Sequence, residues 1–297
     1  MANEGRPEAL QASISAWLQY LGMNRKLMFL AAASAAFIVA FPYLWIVISS
    51  FRDPEHFLSL NLKDALPRTI NLSSYQLALD RAHLIRYMLN SLFVAVCTTV
   101  VSLLASCPAA FALARLRFRG KSILSWFTIM NYVVPSILLV IPMFVILVRL
   151  GLNNSYLGLI LVHATFTIPF SVWVLRDFYL SIPADLEEAG YVDGASLPRV
   201  LRHIILPLSV PGLLAAGVYS FILSWNNFVF ALVLMSTDEA FTAPVAIRAY
   251  YLVPSMTEST WAQLMAAASL VSLPSAILFG FFQRYLVSGF LSGAVKG

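Results

Sequence analysis

Few residues of this 297-residue chain are of a type and spacing that could do chemistry. Gly120-Lys121-Ser122 reads like the end of a phosphate-binding loop. Such a loop needs a glycine five residues before Gly120, but position 115 is Arg, and no strand-like run precedes it, so the match is accidental. His163 has no His, Cys or carboxylate at ligand spacing, and no metal site is expected. Cys97 and Cys107 share one apolar run and are separated by about 15 Å of helical rise, beyond the roughly 7 Å that a disulfide spans. Two glycosylation sequons, at Asn71 and Asn153, are read as chance matches. With no nucleophile–base pair in view, the remaining chemistry is non-covalent. Asn131, Tyr132, His163, Thr165, Thr167, Asn226 and Asn227 are neutral polar groups in apolar surroundings, with Trp173 and Trp225 nearby. A neutral, hydroxyl-rich solute needs such donors and acceptors together with aromatic faces. Taken singly, each is explained as well by hydrogen bonds between helices, worth about 0.6–2 kcal/mol. Asn226 and Asn227 are the strongest pathway candidates, because two adjacent amides are costly to bury without purpose.

The elements that position these groups follow from composition. Hydrophobic residues make up 60% and charged residues only 11%, against about 25% charged in a soluble domain. The chain cannot cover itself with polar surface, so its solvent is largely lipid. Six apolar runs are long enough to span: 27–51, 88–114, 122–148, 156–180, 207–235 and 261–287. They are continuously apolar rather than alternating, which favours helices over a barrel. The first run is an uncleaved anchor, being too long for a signal core. Residues 1–26 form a lead-in whose Leu10, Ile14, Trp17, Leu18 and Leu21 suit the membrane surface. Prolines 135, 142, 169, 211 and 274 fall in or near spans and are candidate kinks.

The net charge of +5 does not point to nucleic acid, because the basic residues stand in short clusters beside apolar runs. The richer set includes Arg115, Arg117, Arg119 and Lys121 in one very short loop. By the positive-inside rule that set is cytoplasmic, which places both termini there. The loop 52–87 is external and should translocate as a small folded segment. No Asp, Glu, Lys or Arg lies well inside a span, which argues against an ion-coupled carrier.

One charged island interrupts this chain, at 181–206. Pro183 suits a first helical turn, and Asp185, Glu187 and Glu188 then meet the positive end of the helix dipole. Gly194 suits the left-handed residue that ends a helix. Ser196 is a candidate N-cap for a second helix running through Arg199, Arg202 and His203 to Pro207, where the next span begins. The pattern predicts helix, sharp turn, helix, outside the lipid. Small Ala189 and Gly190 beside Glu188 would let a partner surface approach and meet the carboxylates. A solvated connector is the bland alternative.

Glu188-Ala189-Gly190, three residues, Gly194, nine residues, then Ile204-Ile205-Leu206-Pro207 resembles the cytoplasmic signature of permease subunits in binding-protein-dependent ABC importers. Gly190 stands where that family usually has a second Ala. The likeness, closest to the carbohydrate branch and its maltose-type permease, covers nearly the whole chain from residue 27. It includes Asn90-Ser91, Phe111 to Lys121, Pro135, Ile141-Pro142, Leu150 to Ser155 and Ser224-Trp225-Asn226-Asn227-Phe228. Asn227 replaces a usual acidic residue.

The resemblance implies an all-α membrane protein of about six transmembrane helices, with the type I importer permease fold and a cytoplasmic coupling helix. It implies a first helix at 27–51, a core permease domain at 88–287 and a cytoplasmic tail at 288–297. Glu187, Glu188, Ala189, Gly190, Asp193 and Gly194 would couple to an ATPase dimer. Asn131, Tyr132, Trp225, Asn226 and Asn227 would line the pathway. Arg248, Tyr250, Tyr251 and Pro254, in the loop 236–260, would reach an external solute-binding protein. A second homologous permease completes the assembly in a bacterial inner membrane. ATP and magnesium belong to the partner ATPase, with no cofactor and no catalysis in this chain, and the cargo is a sugar or sugar derivative. A self-sufficient secondary carrier and an intramembrane enzyme are the alternative classes.

Overall fold

The computed structural model describes residues 25–58, 66–67, 69–81, 83–131, 133–251 and 256–294, the side chains of Arg25, His56, Arg81, Ile129, Tyr251 and 284–294 excepted. Tyr132, Pro254 and the 1–24 lead-in lie outside the described residues. Every regular element among the described residues is helical. That is what a hydrocarbon solvent dictates, since each backbone polar group must be satisfied within its own segment.

Among the described residues, four helices are long and apolar enough to cross a membrane alone: α1 (Arg25–Ser49), α3 (Leu84–Arg115), α6 (Tyr156–Ser181) and α12, which runs from Glu258 to Ala294. A short helix, α2 (Ser73–Arg81), precedes α3 and packs on α12. The third and fifth apolar runs are not the single helices that hydropathy predicts. The third divides into α4 (Lys121–Met130) and α5 (Ser136–Arg149). Pro135 sits at the division with ψ 123°; it has no N–H to donate and disfavours helical geometry in the residue before it. The fifth begins later than expected. After α7 (Asp185–Val192), α8 (Leu197–Leu208) carries the chain past Pro207, and α9 (Val210–Trp225) leaves it at 81°. The bend falls at buried Ser209, whose hydroxyl donates to the Ile205 carbonyl at 2.7 Å, and Pro211 then opens α9. A second break at 226–228 separates α9 from α10 (Val229–Leu234). The helix α11 (Ala243–Tyr251) lies between α10 and α12.

The centre is a three-helix unit of α3, α6 and α9. Hydroxyl residues recur every fourth position on the facing sides: Thr98, Ser102 and Ser106 on α3, Thr167 and Ser171 on α6, Ser220 and Ser224 on α9, all buried. Ser102 and Thr167 share a hydrogen bond of 2.5 Å, Ser106 donates to the Ile168 carbonyl at 3.2 Å, and Ser171 meets Ser220 at 3.3 Å. Lipid supplies no hydrophobic drive between spans, so small residues that let backbones close in, and hydroxyls that bond across, hold them together. Apolar clusters flank this seam. One, at the α3 N-terminus, joins Leu84 and Tyr87 to Ala243, Ala246 and Ala267. Another, at the α3 C-terminus, joins Phe111 and Ala114 to Leu175, Tyr179, Val200 and Ile205. Helix α1 stays peripheral, touching α12 through Ser272, whose hydroxyl donates to Tyr43 at 3.1 Å.

Candidate functional site

The charged island folds as its residues suggest. α7 has Asp185, Glu187 and Glu188 in its first turn, against the positive helix end. Its other end closes on Gly194 at φ +79°. Ala195 N–H donates to the Gly190 carbonyl at 2.9 Å and Gly194 N–H to the Tyr191 carbonyl at 3.0 Å, a Schellman closure. Ser196 is the N-cap of α8 by backbone position, but its side chain makes no capping bond.

The signature residues divide between two faces, which the sequence reading did not separate. Glu187 is 5% exposed and is not offered to a partner. Its carboxylate accepts from Arg115 Nε at 2.5 Å, while Arg115 Nη2 donates to the Ile182 carbonyl at 2.7 Å. Gly190 also faces inward. A Cβ there would stand 2.7 Å from Ile204 Cδ1 and 3.4 Å from Val200 Cγ2, which gives the missing methyl a packing reason. Asp185, Leu186, Glu188, Ala189, Val192 and Asp193 remain exposed, Val192 at 87%. This outer face mixes carboxylates with apolar groups. Behind it, Val200 and Ile205 of α8 are buried among residues of α3 and α6. The island is therefore a short helix fixed rigidly to the spans.

The pathway candidates also separate. Asn131 and Asn227 meet at one cavity of about 290 Å³, with Pro135, Ser136, Phe166, Tyr219 and Phe230. It opens where the third and fifth runs break, and Phe166 places it near the middle of α6. Asn131 Nδ2 donates to the Thr165 carbonyl at 2.8 Å, and Asn227 Oδ1 accepts from Phe230 N–H at 3.1 Å, restarting the helix as α10. Asn227 thus caps a helix while presenting polarity to the cavity. Two of the pathway candidates, Trp225 and Asn226, do not line this cavity. Trp225 is 2% exposed, stacked on Phe221, and its indole N–H donates to the Val271 carbonyl at 3.0 Å, so it is core. Asn226 is exposed but does not line the cavity; its Oδ1 accepts from Ser275 of α12 at 3.4 Å. Buried His163 shares a hydrogen bond of 2.7 Å with Ser224 in the seam, and no cluster of metal-ligating side chains is present among the described residues.

The opposite end carries a cap, residues 236–251, bound down by side chains from α3 and from the turn before α6. Asn90 Nδ2 donates to the carbonyls of Glu239 and Phe241, both at 2.9 Å, and Ser91 Oγ accepts from Ala243 N–H at 2.8 Å. Asn154, at φ +51°, accepts through Oδ1 from Ser236 N–H at 2.9 Å and Thr237 N–H at 3.2 Å. Asp238 receives both Tyr87 Oη, at 2.9 Å, and Tyr250 Oη, at 2.5 Å. The hydrogen bond to that carboxylate pushes the Tyr250 phenol above its ordinary pKa. Of the residues read as binding-protein contacts, Tyr250 is thus partly committed to the cap, Arg248 is exposed, and the Tyr251 side chain and Pro254 lie outside the described residues. Asp238 and Arg115, both central here, were not singled out as site residues; their partners are distant in sequence, and no local pattern gives them away.

Comparison with known proteins bears on the whole arrangement. Residues 102–291 match the family model for the binding-protein-dependent transport system inner membrane component. The chain is 34% identical over 278 residues to the trehalose/maltose transport system permease protein MalG of Thermococcus litoralis, covering 93% of this chain and 98% of that one. It is 37% identical over 259 residues to the trehalose transport system permease protein SugB of Mycobacterium tuberculosis, covering 86% and 92%. A chain in the crystal structure of a bacterial ABC transporter involved in the import of the acidic polysaccharide alginate superposes with a TM-score of 0.74 at 23% identity, over 89% of this chain and 98% of that one. An all-helical core with broken spans and a braced island, matched over most of its length by such relatives, belongs to the family of binding-protein-dependent transport system inner membrane components.

Proposed function

We propose that the chain is one of two similar permease subunits of an ATP-driven importer that carries a sugar or sugar derivative inward. The observation that carries this reading is the outer face of α7. Its carboxylates and apolar groups are exposed, while Glu187 and Gly190 fix the helix to the spans. A face so exposed and so rigidly backed is suited to receive force. An ATPase dimer docks there and holds the ATP and magnesium; its closure moves α7 as a lever and the spans switch exposure as a body. On this reading the island, the basic loop at 115–121 and both termini face the cytoplasm, and the cap faces an external binding protein.

The cargo class rests on two supports. The relatives are named for trehalose, maltose and, in the solved structure, alginate. The cavity offers neutral amides, a serine and a tyrosine beside phenylalanine faces, which suits hydroxyl-rich, uncharged rings. Replacing Glu188 by Lys puts a cation where the docking face is acidic. Glu188→Lys should abolish solute-stimulated ATP hydrolysis by the assembled transporter while the chain still inserts. Stimulation at the native level would refute the docking role.

A further inference from the structure

Resting on that reading of α7, we propose that α3 acts as one rod joining the docking face to the cap, with the Arg115–Glu187 pair and Asn90 as its two couplings. At one end, Arg115, the last residue of α3, holds both the Glu187 carboxylate and the Ile182 carbonyl, and so grips α7 and the joint that leads into it. At the other end, the single amide of Asn90 holds two carbonyls of the cap, and Ser91 and Tyr87 hold Ala243 and Asp238. The couplings are separated by about 37 Å of rise on one helix. That helix is continuous through Pro108. It is bound along its length to α6 and α9 by the hydroxyl seam. Each coupling is a direct bond from a side chain of the rod itself. A displacement of α7 is delivered through Arg115 to a stiff element whose far end the cap cannot leave without breaking at least two hydrogen bonds. The same geometry runs in reverse, so an external protein seated on the cap biases α7 by the same amount, as coupling between sites is reciprocal.

Two lesions in one rod interrupt one path, whereas lesions in independent supports act separately. The test uses the intact complex purified from native membranes, with ATP and the binding protein purified from the same cells. ATP hydrolysis with and without the binding protein is compared for the native chain, Asn90→Ala, Glu187→Gln and the double variant. Each single variant should lower the stimulation about tenfold, and the double variant should fall no further than the worse single. If the Glu187→Gln complex does not assemble, Arg115→Lys, which keeps the charge but loses the forked grip, takes its place in the same cycle. Losses that multiply to about a hundredfold, or native stimulation in either single variant, overturn the rod. Absence of an ATPase from the native complex overturns the docking reading itself, and the rod with it.

Discussion

Adjacent carboxylates do opposite work in α7. Glu187 is buried against Arg115, while Glu188 is exposed beside Ala189 and Val192. Truncating Glu187 to Ala takes the carboxylate from a guanidinium left with the Ile182 carbonyl, and breaking a pair of that kind costs about 3 kcal/mol. Glu188→Ala removes no side-chain bond among the described residues, so its effect on stability should stay within about 0.5 kcal/mol. Denaturant unfolding of the purified chain in detergent, followed by circular dichroism, separates the two; equal losses would show that the inward and outward assignments are wrong. The sequence could not make this division. Eight residues are two turns, and with Leu186, Tyr191 and Val192 all exposed, no apolar stripe marks the inner face. What selects the inner face is Arg115, 72 residues away in the chain. Gly190 shows the same blindness: its smallness read as room for a partner, while the neighbour that requires it is Ile204.

At the scale of elements, local turn chemistry was legible and breaks inside apolar runs were not. Gly194 announced the end of α7 because few other residues tolerate φ +79°. Gly194→Ala should therefore cost about 1 kcal/mol in unfolding measurements, with Gly194→Asn costing less. Pro135 was visible too, yet hydropathy stays apolar across 122–148, so the run read as one helix. The segment 150–155 carried a pattern without a visible purpose. Its purpose is Asn154, which holds two backbone N–H groups of the cap. Asn154→Ala removes the single amide oxygen that accepts from both N–H groups and leaves a methyl side chain at φ +51°. The expected result is a loosened cap: amide hydrogen exchange at Ser236 and Thr237 should rise by about tenfold while the α3, α6 and α9 amides stay protected. Uniform exchange throughout would mean that the cap is held by something else.

On the scale of the whole molecule, the cavity is the feature that this chain does not complete. It is walled by α6, α9 and the broken third run, and its volume, about 290 Å³, is at the small end for a ligand site. Beside Asn131 and Ser136 the chain exposes Val133, Ile137, Leu138 and Ile141. A passage for a hydrated sugar cannot have hydrocarbon as one wall, because its polar groups would lose their partners there. On the proposed importer reading, a second permease of similar build, apolar on its outer side and polar toward the cavity, covers this flank. Ile137→Cys and Ile141→Cys, introduced singly in membranes holding the whole transporter, should each cross-link to that second permease with a short bifunctional maleimide reagent once a matching cysteine is placed on its own broken third run. Val39→Cys on peripheral α1 should react instead with a lipid-phase probe. If Ile137→Cys takes the lipid-phase probe as readily as Val39→Cys does in the assembled transporter, the flank faces lipid, and the solute must pass elsewhere.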